Sequence, residues 1–389
     1  MHSALYDWSP VLRLLFAGMA VAALPLAVVL WRQRRAQATA RIRALTLLLL
    51  FLTFDLVLFG SFTRLTDSGL GCPDWPGCYG QATPLGAHAP IASAQLTAPE
   101  GPVTHAKAWI EMVHRYLASS VGFLILVLAL SCWLVVWRQR GSKAGRVQVY
   151  PWWATATLLW VCIQGAFGAF TVTMKLFPAI VSLHLMGGYV LLALLAVQAV
   201  WQARSVVGHA SVVVPAKLRA TLLIGLLVLV LQVASGAWVS TNYAVLACAE
   251  FPQCQGSWWP MMDFSQGFVI WRPLGLAADG SPLSFQALTA IHFVHRMLAG
   301  FTCVVLASLV WRLHREPMLA RPALWLGALL GLQIATGLSN VVLDWPLLAA
   351  VLHTGGAGAM AALLAGLLAA TRTPPLVQAP PYFSERHIP

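Results

Sequence analysis

Apolar runs of about 20 residues recur along nearly the whole chain, separated by short basic segments or by two longer polar ones. A run of that length crosses the roughly 30 Å hydrocarbon core of a bilayer as a helix. In hydrocarbon every backbone N–H and C=O must be bonded internally, so only helices and closed barrels span it. A barrel would read as short alternating strands, and these runs do not alternate. Only 9% of residues are charged against 59% hydrophobic, where a soluble domain carries about a quarter charged. The sequence therefore predicts an all-α polytopic membrane protein, with the lipid bilayer as its main partner.

Nine spans are expected: about Val11–Trp31, Ala44–Phe62, Ala108–Trp137, Trp152–Thr173, Ala179–Trp201, Ala220–Thr241, Gln286–Trp311, Ala323–Leu343 and Leu347–Thr371. Basic residues follow alternate spans. Arg32, Arg34, Arg35, Arg41 and Arg43 follow the first, Arg138 to Arg146 the third, Arg204, Lys217 and Arg219 the fifth, Arg312, Arg315 and Arg321 the seventh, and Arg372 and Arg386 the last. Cytoplasmic loops carry the Lys/Arg excess, so the N-terminus is expected outside and the C-terminus in the cytoplasm of a bacterial inner membrane. Both long loops then lie outside. The net charge of +12 is a topology signal and points to no nucleic-acid partner. The first span is not read as a signal peptide, because its basic cluster follows it.

The spans after the first form two sets of four. Gly60, Cys72 and Cys78 recur 176 residues later as Gly236, Cys248 and Cys254. Gln164-x-x-x-Gly168 and Gln333-x-x-x-Gly337 are each followed, 20 residues after the Gln, by a histidine, His184 or His353. Glu111-x-x-His114-Arg115 corresponds to His292-x-x-His295-Arg296. Two duplicated four-helix bundles are expected: residues 1–43 as an additional N-terminal helix and basic loop, 44–205 as the first bundle, 216–373 as the second, and 374–389 as a cytoplasmic tail.

Ionisable groups within a span cost roughly 2.5–3.5 kcal/mol each at its centre and mark functional sites by default. His114, His184, His295 and His353 lie within about two turns of the outer ends of their helices, at 1.5 Å rise per residue. Pairing His114 with His184 and His295 with His353 gives each bundle two facing imidazoles, as a six-coordinate haem iron requires. Hydrogen-bonded core histidines and a proton relay remain alternatives; zinc would want more ligands of the right kind per site. Gly187, Gly188, Gly355 and Gly356 would let a flat macrocycle approach the backbone. Glu111 shares a helix face with His114, whereas His292 holds the matching place before His295. That asymmetry predicts chemistry in the first bundle, with Glu111 as acid/base or charge stabiliser, and a permanent cofactor in the second. An ion pair of Glu111 with Arg115 is the competing and compatible role. Arg115, Arg296 and Arg64 are candidates for haem propionates. Cys72 with Cys78 and Cys248 with Cys254 bracket short loops on the oxidising side, where disulfides are expected and a redox or metal-relay role is the alternative.

The run Thr63–Cys78 (TRLTDSGLGCPDWPGC), Glu111–Arg115 (EMVHR), the two QxxxG helices and the helices opening LHLMGG and LHTGGA resemble the haem A synthase family over about Ala44 to Thr371. The resemblance implies oxidation of a ring methyl of haem O to the formyl of haem A by two successive hydroxylations through a hydroxymethyl haem. It implies haem b on His295 and His353, substrate haem on His114 and His184, and an essential Glu111. It further implies delivery of haem O by a haem O synthase, use of haem A by haem-copper oxidase assembly machinery, and an electron acceptor outside the chain. The helix Val11–Trp31 is additional to the family's usual eight spans. His292 competes with His295 as ligand, but Arg296, matching the His114-Arg115 order, favours His295. A di-haem b electron carrier and a haem-handling cytochrome-assembly protein are the alternative functions; Glu111 argues against the first and the matched histidine pairs against the second.

Overall fold

The computed structural model describes residues 9–139, 149–208 and 210–373. The tail 374–389 and most of the basic loop after the third span lie outside the described residues. Eleven α-helices follow in order: α1 Ser9–Arg32, α2 Ala38–Leu65, α3 His88–Thr97, α4 His105–Gln139, α5 Pro151–Thr173, α6 Pro178–Val207, α7 Ala216–Thr241, α8 Phe264–Gly267, α9 Phe285–His314, α10 Ala320–Val342 and α11 Leu347–Ala370. Among the described residues nine helices are long and apolar enough to cross a membrane, all but α3 and α8. They coincide with the nine expected spans, and α2 starts six residues before the expected Ala44.

Local chemistry marks the helix ends. Pro151 and Pro178 stand at the first positions of α5 and α6, where a missing N–H costs nothing. Ser284 caps α9 by accepting from the Ala287 N–H at 3.2 Å. Gly208 closes α6 in the left-handed conformation, φ +76°. The duplication is written into the turns as well. Positive φ occurs at Asp67 and Tyr243, Tyr79 and Gln255, Lys175 and Asp344, and Leu176 and Trp345, each pair being repeat mates. The loops of both halves also contain a cis proline at matching places, Pro76 and Pro252.

Helices α2, α4, α5 and α6 pack around one another, as do their repeat mates α7, α9, α10 and α11. The two sets meet through α2, α6, α7 and α11, with α6 against α11 the most extensive contact between them. Tyr189 donates its hydroxyl to the Thr354 carbonyl at 2.6 Å across that seam. At the C-terminal ends of α2 and α7 Arg64 donates to the Ser240 carbonyl at 2.8 Å, and the Tyr243 hydroxyl donates to Asp67 Oδ1 at 2.7 Å. Both pairs are separated by 176 residues, the repeat offset. A residue touches its own repeat mate only near the symmetry axis, so the pseudo-two-fold axis of the duplication runs through this cluster. A two-residue parallel pairing, Val212–Val213 with Thr371–Arg372, ties the segment between the two sets to the end of α11.

Helix α1 lies against α4, the helix that carries Glu111 and His114. Gly18 makes that approach possible, since a β-carbon there would stand 2.5 Å from Ser119 Cβ.

Candidate functional site

Each of the four histidine rings rests on a glycine of a neighbouring helix. A β-carbon at Gly60 of α2 would stand 3.0 Å from His114 Nε2, and one at Gly168 of α5 3.3 Å from His184 Cε1. In the second half the same holds for Gly236 of α7 at 2.9 Å from His295 Cε1 and Gly337 of α10 at 3.2 Å from His353 Cε1. His114 and His184 lie within electrostatic range of each other, as do His295 and His353.

The QxxxG motif has a definite mechanical meaning. Its Gly backs the histidine, while its Gln packs against the helix that bears that histidine. Gln333 Nε2 donates to the His353 carbonyl at 2.9 Å. Side-chain atoms of Gln164 and Gln333 fill the space over Gly187 and Gly356, where a β-carbon would stand 1.8 Å and 2.3 Å from the amide nitrogens. Gly355 is filled by Leu58 at 2.4 Å and Gly188 faces Val57 at 3.4 Å. This corrects the expectation that these four glycines admit a macrocycle; they admit neighbouring side chains and close helix packing.

One turn before His114, Glu111 is 3% exposed and its partner Arg115 7%. Glu111 Oε2 accepts from the Cys72 N–H at 2.7 Å, and Oε1 accepts from Arg115. Arg115 Nη1 donates to the carbonyls of Asp74, Pro76 and Gly77 at 2.9, 3.2 and 2.5 Å. These acceptors lie in the loop closed by the Cys72–Cys78 disulfide, so the pair seats that loop on the N-terminal turns of α4. The second half repeats the device with a neutral partner. Arg296 donates to Cys248 O at 2.6 Å, to Gln253 O at 3.1 Å and to His292 Nε2 at 3.3 Å, holding the loop closed by the Cys248–Cys254 disulfide. His292 thus bonds Arg296. Arg64 bonds Asp67 and Ser240 and stacks over Tyr243 at 4.1 Å. All three arginines expected at propionates direct their donors to protein acceptors, which a propionate would have to share.

Sequence reasoning passed over Arg272. It is 1% exposed, donates to Asn242 Oδ1 at 2.6 Å and Leu276 O at 3.1 Å, and its guanidinium lies 5.7 Å from the Trp238 ring. A single Arg in a polar loop carries no pattern that would single it out.

The donor set fits an iron porphyrin. Two facing imidazoles per bundle match axial ligation. Ser235 and Thr336 contact Nδ1 of His295 and His353. His184 Nδ1 is buried without a hydrogen-bond partner, although the Gln164 backbone lies close enough to interact with the ring.

Residues 43–365 match the family described as cytochrome oxidase assembly protein. A protein named "Heme A synthase" from Shewanella oneidensis is 36% identical over 309 residues, 79% of this chain and 90% of that relative. The chain belongs to the haem A synthase family. Members so named from Halalkalibacterium halodurans and Rhizobium etli are 25% and 28% identical over 306 and 326 residues, covering 76% and 78% of this chain and 85% and 82% of theirs. The family match starts at the second span, so α1 lies outside the part that defines a haem A synthase family member here. Within the matched part lie all four histidines, both disulfides and Glu111.

Proposed function

We propose that this protein is an oxidoreductase converting haem O to haem A in the inner membrane, its long loops and histidine pairs toward the outer side. One observation carries the reading: two repeat-related, glycine-backed histidine pairs, only the first of which has a carboxylate one turn from a ligand. The first bundle, residues 44–205, holds the substrate haem between His114 and His184. The second, residues 216–373, holds haem b between His295 and His353. Bound haem b supplies one-electron redox chemistry at the second pair.

The substrate's ring methyl is oxidised in two successive hydroxylations, each replacing a C–H bond by a C–OH bond whose oxygen comes from water, with two protons released and two electrons passing to an acceptor outside the chain; the second gives a hydrate that loses water to leave the formyl group. Glu111 accepts from the Cys72 N–H and from Arg115. That anchorage holds a carboxylate beside His114, where it offsets the positive charge that develops at the carbon being oxidised. Arg115 and Arg296 keep the disulfide loops seated over the two sites. A haem O synthase upstream and haem-copper oxidase assembly downstream are the partners that the substrate and product require.

The test is mass spectrometry of haems extracted from the purified protein. Haem O, its hydroxymethyl derivative or haem A beside haem b supports the enzyme; two equivalents of haem b alone would replace it with an electron carrier. Glu111→Gln is expected to keep the haem b spectrum and abolish haem A formation. Loss of haem b in that variant would reverse the assignment of the halves.

A further inference from the structure

The residue immediately before each ring-backing glycine separates the two halves. It is Phe59 and Phe167 in the first and Ser235 and Thr336 in the second. Ser235 Oγ donates to the Gln232 carbonyl at 2.8 Å and stands 2.8 Å from His295 Nδ1. Thr336 Oγ1 donates to the Leu332 carbonyl at 2.7 Å and stands 3.0 Å from His353 Nδ1. A hydroxyl has one proton to give. With that proton committed to a helix carbonyl, each oxygen can only accept from the imidazole. Nδ1 therefore carries the ring proton and Nε2 presents its lone pair, on two different helices by the same device. Gln232, whose repeat mate is Leu56, lies beside the same ring, its amide nitrogen 3.2 Å from Nδ1 and 3.4 Å from Nε2; as a donor it serves only the unprotonated nitrogen, Nε2.

The first pair lacks all of this. Phe59 lies parallel to the His114 ring, with centroids 6.4 Å apart and planes 10° from parallel. His184 Nδ1 is buried with no side-chain partner, the Gln164 backbone being the polar group near the ring. Among the described residues no side-chain hydroxyl or amide bonds either ring.

We propose that Ser235 and Thr336 are positioning residues that make the second histidine pair a retaining site for an iron porphyrin, and that Phe59 and Phe167 leave the first pair an exchange site. The inference rests on the bis-histidine reading above. An Nδ1–H···O bond fixes tautomer and ring orientation and strengthens the imidazole as a donor, which favours ferric iron and slows its release. A cofactor must stay through many turnovers; a substrate must arrive and a product must leave. Rings without such bonds turn more freely and let go sooner.

The test uses the full-length purified protein and the variant Ser235→Ala/Thr336→Val, which keeps side-chain shape closely and removes only the hydroxyls. Its haem b is expected to show a raised midpoint potential in an optical redox titration. Transfer of haem b to a scavenging apo-globin is expected to be about tenfold faster or more. The exchanged pair Ser235→Thr/Thr336→Ser, which restores both hydroxyls, should return both readouts toward those of the parent protein, which a merely structural role would not require. Unchanged potential and transfer rate, with the low-spin haem lost in His295→Ala, would overturn this inference and leave the bis-histidine reading standing. Full low-spin haem b in both His295→Ala and His353→Ala would overturn that reading and the inference with it.

Discussion

Replacing Arg115 by Met should destabilise the protein more than replacing Arg296 by Met, by an amount set by the group each leaves behind. Both arginines seat a disulfide loop through backbone carbonyls, three for Arg115 and two for Arg296. Those losses are similar in kind and largely cancel. What differs is the side chain one turn earlier. Glu111 is 3% exposed and His292 4%, but only Glu111 is a carboxylate. Removing one member of a buried ion pair costs about 3–5 kcal/mol, because the other charge stays buried without compensation. Removing a donor from a neutral buried acceptor costs about 1–3 kcal/mol. The expected excess is about 2 kcal/mol, roughly 30-fold in the folding equilibrium at about 1.4 kcal/mol per tenfold. Reversible unfolding by SDS in mixed micelles, followed by tryptophan fluorescence, measures it. Adding Glu111→Gln to Arg115→Met should recover most of the excess, since the stranded charge is gone. Equal losses at the two arginines, or a double variant less stable than Arg115→Met alone, would refute the reasoning.

Three further outcomes follow from the same geometry. Gly236→Ala places a β-carbon 2.9 Å from His295 Cε1 and should deplete haem b, whereas Gly60→Ala, 3.0 Å from His114 Nε2, should spare haem b and impair haem A formation; pyridine haemochrome spectra distinguish them. Tyr243 lies beyond the end of α7, and its hydroxyl is pushed above the usual phenol range, chiefly by burial and also by its bond to Asp67, against the opposing pull of Arg64. Its contribution to stability should therefore be complete below pH about 10 and be lost only as pH rises through the elevated value. Absorbance at 295 nm in the parent protein against Tyr243→Phe would contradict this if the difference titrated at or below the ordinary value. Removing either disulfide by paired Cys→Ser replacement should cost about 2 kcal/mol on chain-entropy grounds, read by the same SDS titration.

Much of the site was legible because duplication writes it twice. A lone intramembrane histidine carries no pattern, whereas His114, His184, His295 and His353 stand at matched places in matched helices. The glycines were legible only in part. Gly60, Gly168, Gly236 and Gly337 stood out as repeat mates, yet nothing linear says that each touches a histidine on another helix. Gly187 and Gly356 were read as space for a ligand because a missing side chain looks the same whether a macrocycle or a Gln amide fills the gap. The arginines show the same limit. Spacing put Arg115 on the face of Glu111, but whether its other donors met a propionate or the carbonyls of Asp74, Pro76 and Gly77 depended on how the loop folds back.

The sequence by itself determined the class of structure, the number of spans and the duplication. These follow from hydrophobic length, charge alternation and repetition, properties of the chain that survive without coordinates. Only the tertiary structure decided what surrounds the histidine rings. It is there that the halves part, with Ser235 and Thr336 bonded to Nδ1 in one and Phe59 and Phe167 at the matching places in the other. Hydrogen bonds between helices depend on ångström-scale approach and on where each proton is already committed, and residues 60 or 17 positions apart in the chain carry no linear sign that they will meet.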